Sequence, residues 1–338
     1  KGVPLTHDNI LSNLRSIIRT IEIDKNSVLF AVLPPFHSMG YCISLFSLLS
    51  GIKVAYSPDP TNSATLARGI AKWKATLFIS PPSFLKALLK IATQQQLKSL
   101  SLIVSGAEKA PQELFDKVAD LGRDIQVIEG YGITECSPVL TMNRHGETKI
   151  GVGQPIPGVK LRIIHPETHK PLNCNNLGLI IASGPNVFSG YFHHNGSSPF
   201  IKLDGKSWYN TGDLGFLNEN NHLTISGRLK RFVKIGGEMI SLGAIEEALI
   251  EEAVAQNWPR PEEGPAFAIC FIEPEGEKSQ LILLTSSFLT LRDANDALKN
   301  QGLSNLYRLS HIKQIEEIPL TGTGKIDYRN LQDQVLEE

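Results

Sequence analysis

The chain has no apolar run long enough to cross a bilayer. Its longest runs, Val28 to Pro35 and Tyr41 to Leu49, are short and interrupted by polar residues or proline. It has almost no net charge: 33 Lys and Arg stand against 34 Asp and Glu, a formal −1 at pH 7, which excludes the basic excess of a nucleic-acid binder. Cysteine is scarce. Cys42, Cys136, Cys174 and Cys270 are far apart and form no C-x-x-C pair, so neither a disulfide framework nor a zinc site is indicated, and a reducing, cytosolic setting fits. Repeats and low-complexity tracts are missing. So are an initiator Met and a signal-peptide pattern at Lys1-Gly2-Val3-Pro4, which reads as the start of a piece of a longer protein.

What is present is enough for a sizeable core. With 338 residues, 41% hydrophobic and 20% charged, the chain predicts an ordinary globular protein of two or more lobes. Ile10, Leu11, Leu14, Ile17, Ile18 and Ile21 recur at helical spacing behind a Thr6 cap. Short β-branched runs then alternate with helical patterns: strands at 28–33, 52–56, 76–79, 102–105 and 125–128, helices near 64–73, 84–93 and 111–121. That alternation predicts a parallel α/β sheet with helical crossovers over 1–150. Gly, Pro and Asn turns then punctuate a β-rich subdomain over 151–228. A smaller α+β domain over 229–338 follows a boundary at Gly227 to Lys230, with helices to Ala255, near 290–299 and from Asp327, and strands near 266–272 and 280–285.

Four segments hold chemistry-bearing residues. Glu129-Gly130-Tyr131-Gly132-Ile133-Thr134-Glu135 follows a strand; its glycines let the backbone approach a ligand, while Tyr131 can stack, Thr134 can bond a phosphate and Glu135 can hold Mg²⁺. Alone it reads as a polar turn. In Trp208 to Leu214, Asp213 follows a Gly turn, as needed to hold two ribose hydroxyls or simply to cap a hairpin. Ser226 to Glu238 sets Arg228, Lys230, Arg231 and Lys234 ahead of Gly236-Gly237 at the predicted boundary, either a solvated face or a hinge beside an anion. Pro319 to Asp327 delivers Lys325 on a Gly-rich loop, a helix-preceding turn or a point charge for a developing anion.

Taken together and in this order, the four segments resemble the adenylate-forming superfamily of acyl-CoA synthetases, luciferases and peptide-synthetase adenylation domains. The resemblance covers essentially the whole chain, beginning at Lys1-Gly2, which match the end of that superfamily's phosphate loop. It implies an N-terminally truncated adenylating-enzyme fold: a large AMP-binding domain and a mobile C-terminal lid. It gives Thr134 and Glu135 the phosphate and Mg²⁺ roles and Lys325 the adenylation role. Gly106, Ala107, Glu108, Gly130, Tyr131 and Gly132 match the nucleotide-lining segments, and Asp213 with Arg228 the ribose pair. Lys1 matches the phosphate-loop lysine, Lys230 the hinge, and His37 a position lining the carboxylate pocket, although alone His37 reads as a structural histidine. Lys234, Gly236, Gly237 and Glu238 match the face offered to a thiol arm.

Ser105 to Lys109, Glu129 to Cys136 and Lys234 to Leu242 are most similar to the acyl-ACP synthetase branch, which bacteria join to a 2-acylglycerophosphoethanolamine acyltransferase of phospholipid turnover. That resemblance implies ATP-dependent conversion of a long-chain fatty acid to acyl-AMP, then transfer to acyl-carrier protein. The chain itself is expected to be soluble, and the intact protein to lie at the cytoplasmic face of the bacterial inner membrane. CoA as acceptor and a non-catalytic nucleotide-binding scaffold are the competing readings; retention of Glu135, Asp213, Arg228 and Lys325 speaks against the scaffold. Truncation before Lys1 leaves the activity of the fragment itself open.

Overall fold

The computed structural model describes residues 1–21, 23–108, 110–121, 125–147, 149–193, 196–261, 264–273, 279–321 and 325–336. Two compact units divide the chain, Lys1–Ser226 and Gly227–Glu338.

The first unit opens with α1 (His7–Thr20), β1 (Val28–Ala31), α2 (Ser38–Ser50), β2 (Lys53–Tyr56), α3 (Ser63–Trp73), β3 (Leu77–Ser80), α4 (Pro82–Ile91), β4 (Leu102–Ser105), α5 (Gln112–Ala119) and β5 (Gln126–Gly132). Thr6 caps α1 in a reciprocal capping box with Asn9. These five strands are parallel, as helical crossovers require. Two more strands, β6 (Val139–Met142) and β7 (Gln154–Pro155), complete one seven-stranded sheet in the order β2-β1-β3-β4-β5-β6-β7. They extend the expected parallel sheet with antiparallel pairs, because the link from Ile133 to Pro138 is too short for a crossover.

Strand alternation builds two cores. Leu29, Ala31, Leu77 and Val104 pack on one side with Leu14 and Ile17 of α1 and Cys42, Ile43 and Phe46 of α2. Phe30, Phe78 and Ile103 pack on the other with α3, α4 and α5, through Leu66, Ile70, Leu85, Leu88, Leu114 and Val118. α2 is the element that periodicity does not mark. It is apolar nearly all round, burying Phe46 while leaving Leu48 and Leu49 exposed, so no polar stripe reveals the helix.

A second sheet in the order β10-β11-β9-β8 forms from β8 (Lys160–Ile164), β9 (Gly178–Ser183), β10 (Phe200–Leu203) and β11 (Lys206–Leu217). β12 (Leu223–Arg228), whose last two residues belong to the second unit, pairs with β11.

The second unit begins with a hairpin of β13 (Phe232–Ile235) and β14 (Glu238–Ser241). Its two-residue turn is Gly236-Gly237, with φ of 61° and 89°, the positive values that a tight turn of matching twist demands. α6 (Leu242–Ala255), capped by the Ser241 hydroxyl, leads to β15 (Phe267–Ile272), β16 (Gln280–Thr285), α7 (Leu291–Asn300), β17 (His311–Gln314) and α8 (Tyr328–Leu336). β15 and β16 are antiparallel, and β17 joins β16 in parallel. No helix among the described residues is long and apolar enough to cross a membrane.

Candidate functional site

The carboxyl ends of β4 and β5 bring two glycine-bearing segments together. After β4 comes Gly106, which is buried, then Ala107 with φ of 71°, a left-handed conformation costly for a residue with a Cβ. Glu108 anchors this loop by accepting bonds from the Ser83 N–H and hydroxyl, each at 3.2 Å, in the first turn of α4, where the helix dipole also favours its charge. Beside it, Glu129 accepts from the Ala110 N–H at 3.2 Å and pairs with Lys149 at 2.9 Å. Gly132 could not be replaced without displacement, because a Cβ there would lie 2.1 Å from the Pro138 carbonyl oxygen.

Tyr131, between Gly130 and Gly132, donates its hydroxyl to the Asp213 carboxylate. Asp213 is 3% exposed and sits where β11 shifts register against β9, between Asn210 and Leu214, with its own N–H donating to the Thr211 hydroxyl at 3.1 Å. An irregularity of this kind re-aims a side chain out of the ladder. Asp213 therefore does more than cap a turn: it ties the second sheet to β5. Burial first, and then the Asp213 charge, push the Tyr131 phenol well above its ordinary range, so Tyr131 remains a donor.

Thr134 to Cys136 form a 3₁₀ turn immediately after β5. Thr134 is exposed, its hydroxyl 3.1 Å from that of Ser38 at the start of α2. The Glu135 carboxylate accepts the Tyr191 hydroxyl at 2.7 Å, and Tyr191 lies 3.1 Å from the Tyr209 hydroxyl. Burial, the hydrogen bond to Tyr191 and the nearby Glu135 charge raise the Tyr209 phenol above its usual value. The Lys1 ammonium lies over the Tyr191 ring, 4.6 Å from its centroid. Phe188 supports both tyrosines edge-on, with centroids at 5.0 and 5.2 Å. The turn is also held from below, where Asn13 of α1 and Asn186 both donate to the Cys136 and Val139 carbonyls.

Beneath this polar rim is an apolar cavity of about 60 Å³. Ile17 of α1, Cys42, Ile43 and Phe46 of α2, and Ile21 line it together with Gly106, Gly130, Tyr131 and Gly132. Burial pushes the Cys42 thiol up to about 12, leaving it an uncharged part of the lining. His37 is exposed and caps the N-terminus of α2 by accepting from the Met39 N–H at 3.2 Å; Met39, not His37, is among the lining residues.

The remaining sequence-derived residues belong to the second unit. Arg228 and Lys230 are exposed, Lys230 within the 3₁₀ turn Leu229–Arg231. Lys234, Gly236, Gly237 and Glu238 lie exposed on the β13–β14 hairpin. Lys325 is exposed on a loop closed by a Leu320–Ile326 bridge, with the Thr321 N–H donating to the Lys325 carbonyl at 2.7 Å. Lys109 and Gly322 to Gly324 lie outside the described residues. The motifs did not point to Ser38 or Tyr191, nor give Tyr209 a role; the Ser189-Gly190-Tyr191 turn was the one available signal for Tyr191.

Among the described residues no group of three or more His, Cys, Asp or Glu could hold a metal ion. A single partly buried carboxylate, Glu135, next to the exposed Thr134 suits magnesium, which is usually held by one or two carboxylates together with substrate phosphates.

Comparison with known proteins gives a consistent family of likenesses. The family described as "AMP-binding enzyme" matches residues 1–192. The chain is 27% identical to luciferin 4-monooxygenase of Nipponoluciola cruciata, over 98% of this chain and 61% of that protein. It is 28% identical to a long-chain-fatty-acid–CoA ligase of Thermus thermophilus, over 99% and 63%. Among solved structures, ATP-bound MatB from Rhodopseudomonas palustris superposes with a TM-score of 0.85 at 24% identity, over 99% of this chain and 65% of that one. The o-succinylbenzoate CoA synthetase MenE of Bacillus subtilis, in complex with AMP, superposes at 0.83 with 21% identity, over 98% and 66%. The fold is thus that of the adenylate-forming enzymes, and the chain spans less than two thirds of the length of these relatives.

Proposed function

Because this chain belongs to the AMP-binding enzyme family, we propose that its parent protein is an acid–thiol ligase that activates a fatty acid with ATP and passes the acyl group to a thiol. The supporting observation is the cavity: the Gly130–Gly132 backbone that, with Gly106, bounds the apolar space also carries Tyr131, bonded to Asp213 of β11, and leads directly into Thr134 and Glu135. The first carbons of an apolar tail can enter below while a carboxylate and a nucleotide meet above, and a longer tail requires the cavity to widen.

In the first half-reaction the carboxylate attacks the α-phosphorus of ATP, giving acyl-AMP and pyrophosphate. Tyr131 and the Gly106-Ala107-Glu108 loop bound the base, Asp213 with Arg228 holds the ribose, and Thr134 and Lys1 orient phosphates. Mg²⁺ bound with ATP would be held by Glu135 and supplies positive charge to the phosphoryl oxygens. Lys325 neutralises the carboxylate and bridging oxygens, so that positioning and electrostatics supply the rate. In the second half-reaction the smaller unit turns about Lys230, withdrawing Lys325, and Lys234, Gly236, Gly237 and Glu238 receive the thiol arm.

The acceptor we propose is acyl-carrier protein, in service of lysophosphatidylethanolamine re-acylation at the cytoplasmic face of the inner membrane. Support comes from the Lys234 to Leu242 motif and from cations suited to an acidic carrier. CoA is the second reading, favoured by the name of the Thermus relative. ATP–pyrophosphate exchange on the whole protein, with fatty acids of graded length, tests the chemistry. Exchange that needs a long-chain acid and collapses in Lys325→Ala is the expected result; none with any carboxylate would sink the ligase reading. Acyl transfer to carrier protein set against CoA then decides the acceptor.

A further inference from the structure

One buried ionic cluster of the second unit has no part in the scheme above. Arg231, one residue beyond Lys230, donates to the Ile269 carbonyl at 2.8 Å and to Glu246 of α6, and its guanidinium lies 3.7 Å from the centroid of the Tyr328 ring. Glu246 is nearly enclosed, with 12% of its side chain exposed. Besides Arg231, its carboxylate accepts the Ile269 N–H at 2.8 Å and the Tyr328 hydroxyl at 2.9 Å. Four elements therefore converge on one carboxylate: the turn holding Lys230, helix α6, strand β15 and the first residue of α8.

Tyr328 is three residues from Lys325, and the intervening chain leaves little slack. The Leu320–Ile326 bridge closes the lysine loop, the Asp327 N–H donates to the Pro319 carbonyl at 2.8 Å, and Ile326 and Tyr328 both pack on the small core around Cys270, Ile282 and Leu331. Anchoring the Tyr328 ring anchors the base of the loop. The geometry points to Arg231, Glu246 and Tyr328 as positioning residues that join the hinge turn rigidly to the Lys325 loop, so that rotation at Lys230 moves Lys325 as one body with the rest of the unit. Stacking and the fork of guanidinium donors make arginine suited to this place in a way lysine is not. A carboxylate with one full set of charged and neutral donors has a single favourable arrangement, which is what fixes the register.

The catalytic consequence rests on the ligase reading; the mechanical one does not. Tyr328→Phe removes one oxygen and keeps the ring under Arg231, so the unit stays folded. Displacing a reacting group by about an ångström can cost on the order of a hundredfold, so carboxylate-dependent ATP–pyrophosphate exchange by the whole protein is expected to fall about ten- to hundredfold in kcat with KM for ATP unchanged. Thioester formation from supplied acyl-AMP, which does not use Lys325, should keep the unmodified rate. Hydrogen exchange at the Thr321 and Asp327 amides should quicken, while amides of β15 and β16 hold; Arg231→Lys should do the same. Equal losses in both half-reactions, or loop amides that do not quicken, overturn the inference. Absence of exchange in the unmodified protein overturns the ligase reading instead, and the amide measurement still decides the cluster.

Discussion

Replacing Asn13 with Leu tests how the site turn is held. Asn13 is fully buried in α1 and spans the gap to β6: its amide nitrogen donates to the Val139 carbonyl at 2.7 Å and to that of Cys136 at 3.4 Å, and its oxygen accepts from the Val139 N–H at 3.3 Å. Leucine has the same branching and heavy-atom count, is somewhat bulkier, and has none of these groups. Both carbonyls keep the Asn186 amide, at 2.8 Å for Cys136 and 3.3 Å for Val139, so they are weakened and not stranded. The Val139 N–H loses the amide oxygen. A stranded buried donor costs about 1–3 kcal/mol and each weakened bond about 0.5–1 kcal/mol, so the sum is about 3 kcal/mol. In a unit of 226 residues, where 1 kcal/mol shifts Tm by about 2–4 °C, the melting transition should fall by roughly 6–12 °C. Scanning calorimetry measures it, with fluorescence of Trp73 and Trp208 identifying the transition of the first unit. A shift below about 2 °C would refute the claim that this one side chain pins α1 to the site turn.

Gly132→Ala should abolish nucleotide binding, since the new methyl would lie 2.1 Å from the Pro138 carbonyl oxygen and push the Thr134–Glu135 turn out of place; titration calorimetry with AMP at wild-type affinity would contradict it. Of the four thiols only Cys174 is exposed, and burial raises Cys42 to about 12 and Cys270 to about 11, so a disulfide reagent at pH 8 should titrate one thiol in the native protein and all four in guanidinium. Burial raises the Glu246 carboxyl above its ordinary 4.5, against the pull of Arg231 and its hydrogen-bond donors. Its stability contribution is fully present below that ordinary value and is lost as pH rises through the higher folded value. Glu246→Gln cannot titrate, so wild-type Tm should decline relative to the variant across that window; a difference constant with pH would show that the carboxyl is not shifted.

Much of the architecture was written locally. The Ile and Leu spacing behind Thr6 marks α1 because one face is buried and the rest is solvated, and the β-branched runs of β1 to β5 mark strands that are covered on both sides. Glycines and charges at fixed spacing survive as motifs without any fold, and they singled out Tyr131, Thr134, Glu135, Asp213 and Lys325; that Tyr131 bonds Asp213 only the structure shows. The apolar cavity was not legible, since Ile17, Cys42 and Phe46 look like any core residues until two helices and a sheet enclose a space between them. Nor was the Glu135–Tyr191–Tyr209 chain, which joins positions far apart in sequence, or the meeting of Arg231, Glu246 and Tyr328 across nearly a hundred residues. Short-range order depends on periodicity, turn chemistry and caps, all readable within a few residues; which side chains share a buried volume depends on how strands cross and helices pack, and only the tertiary structure of this chain decided that.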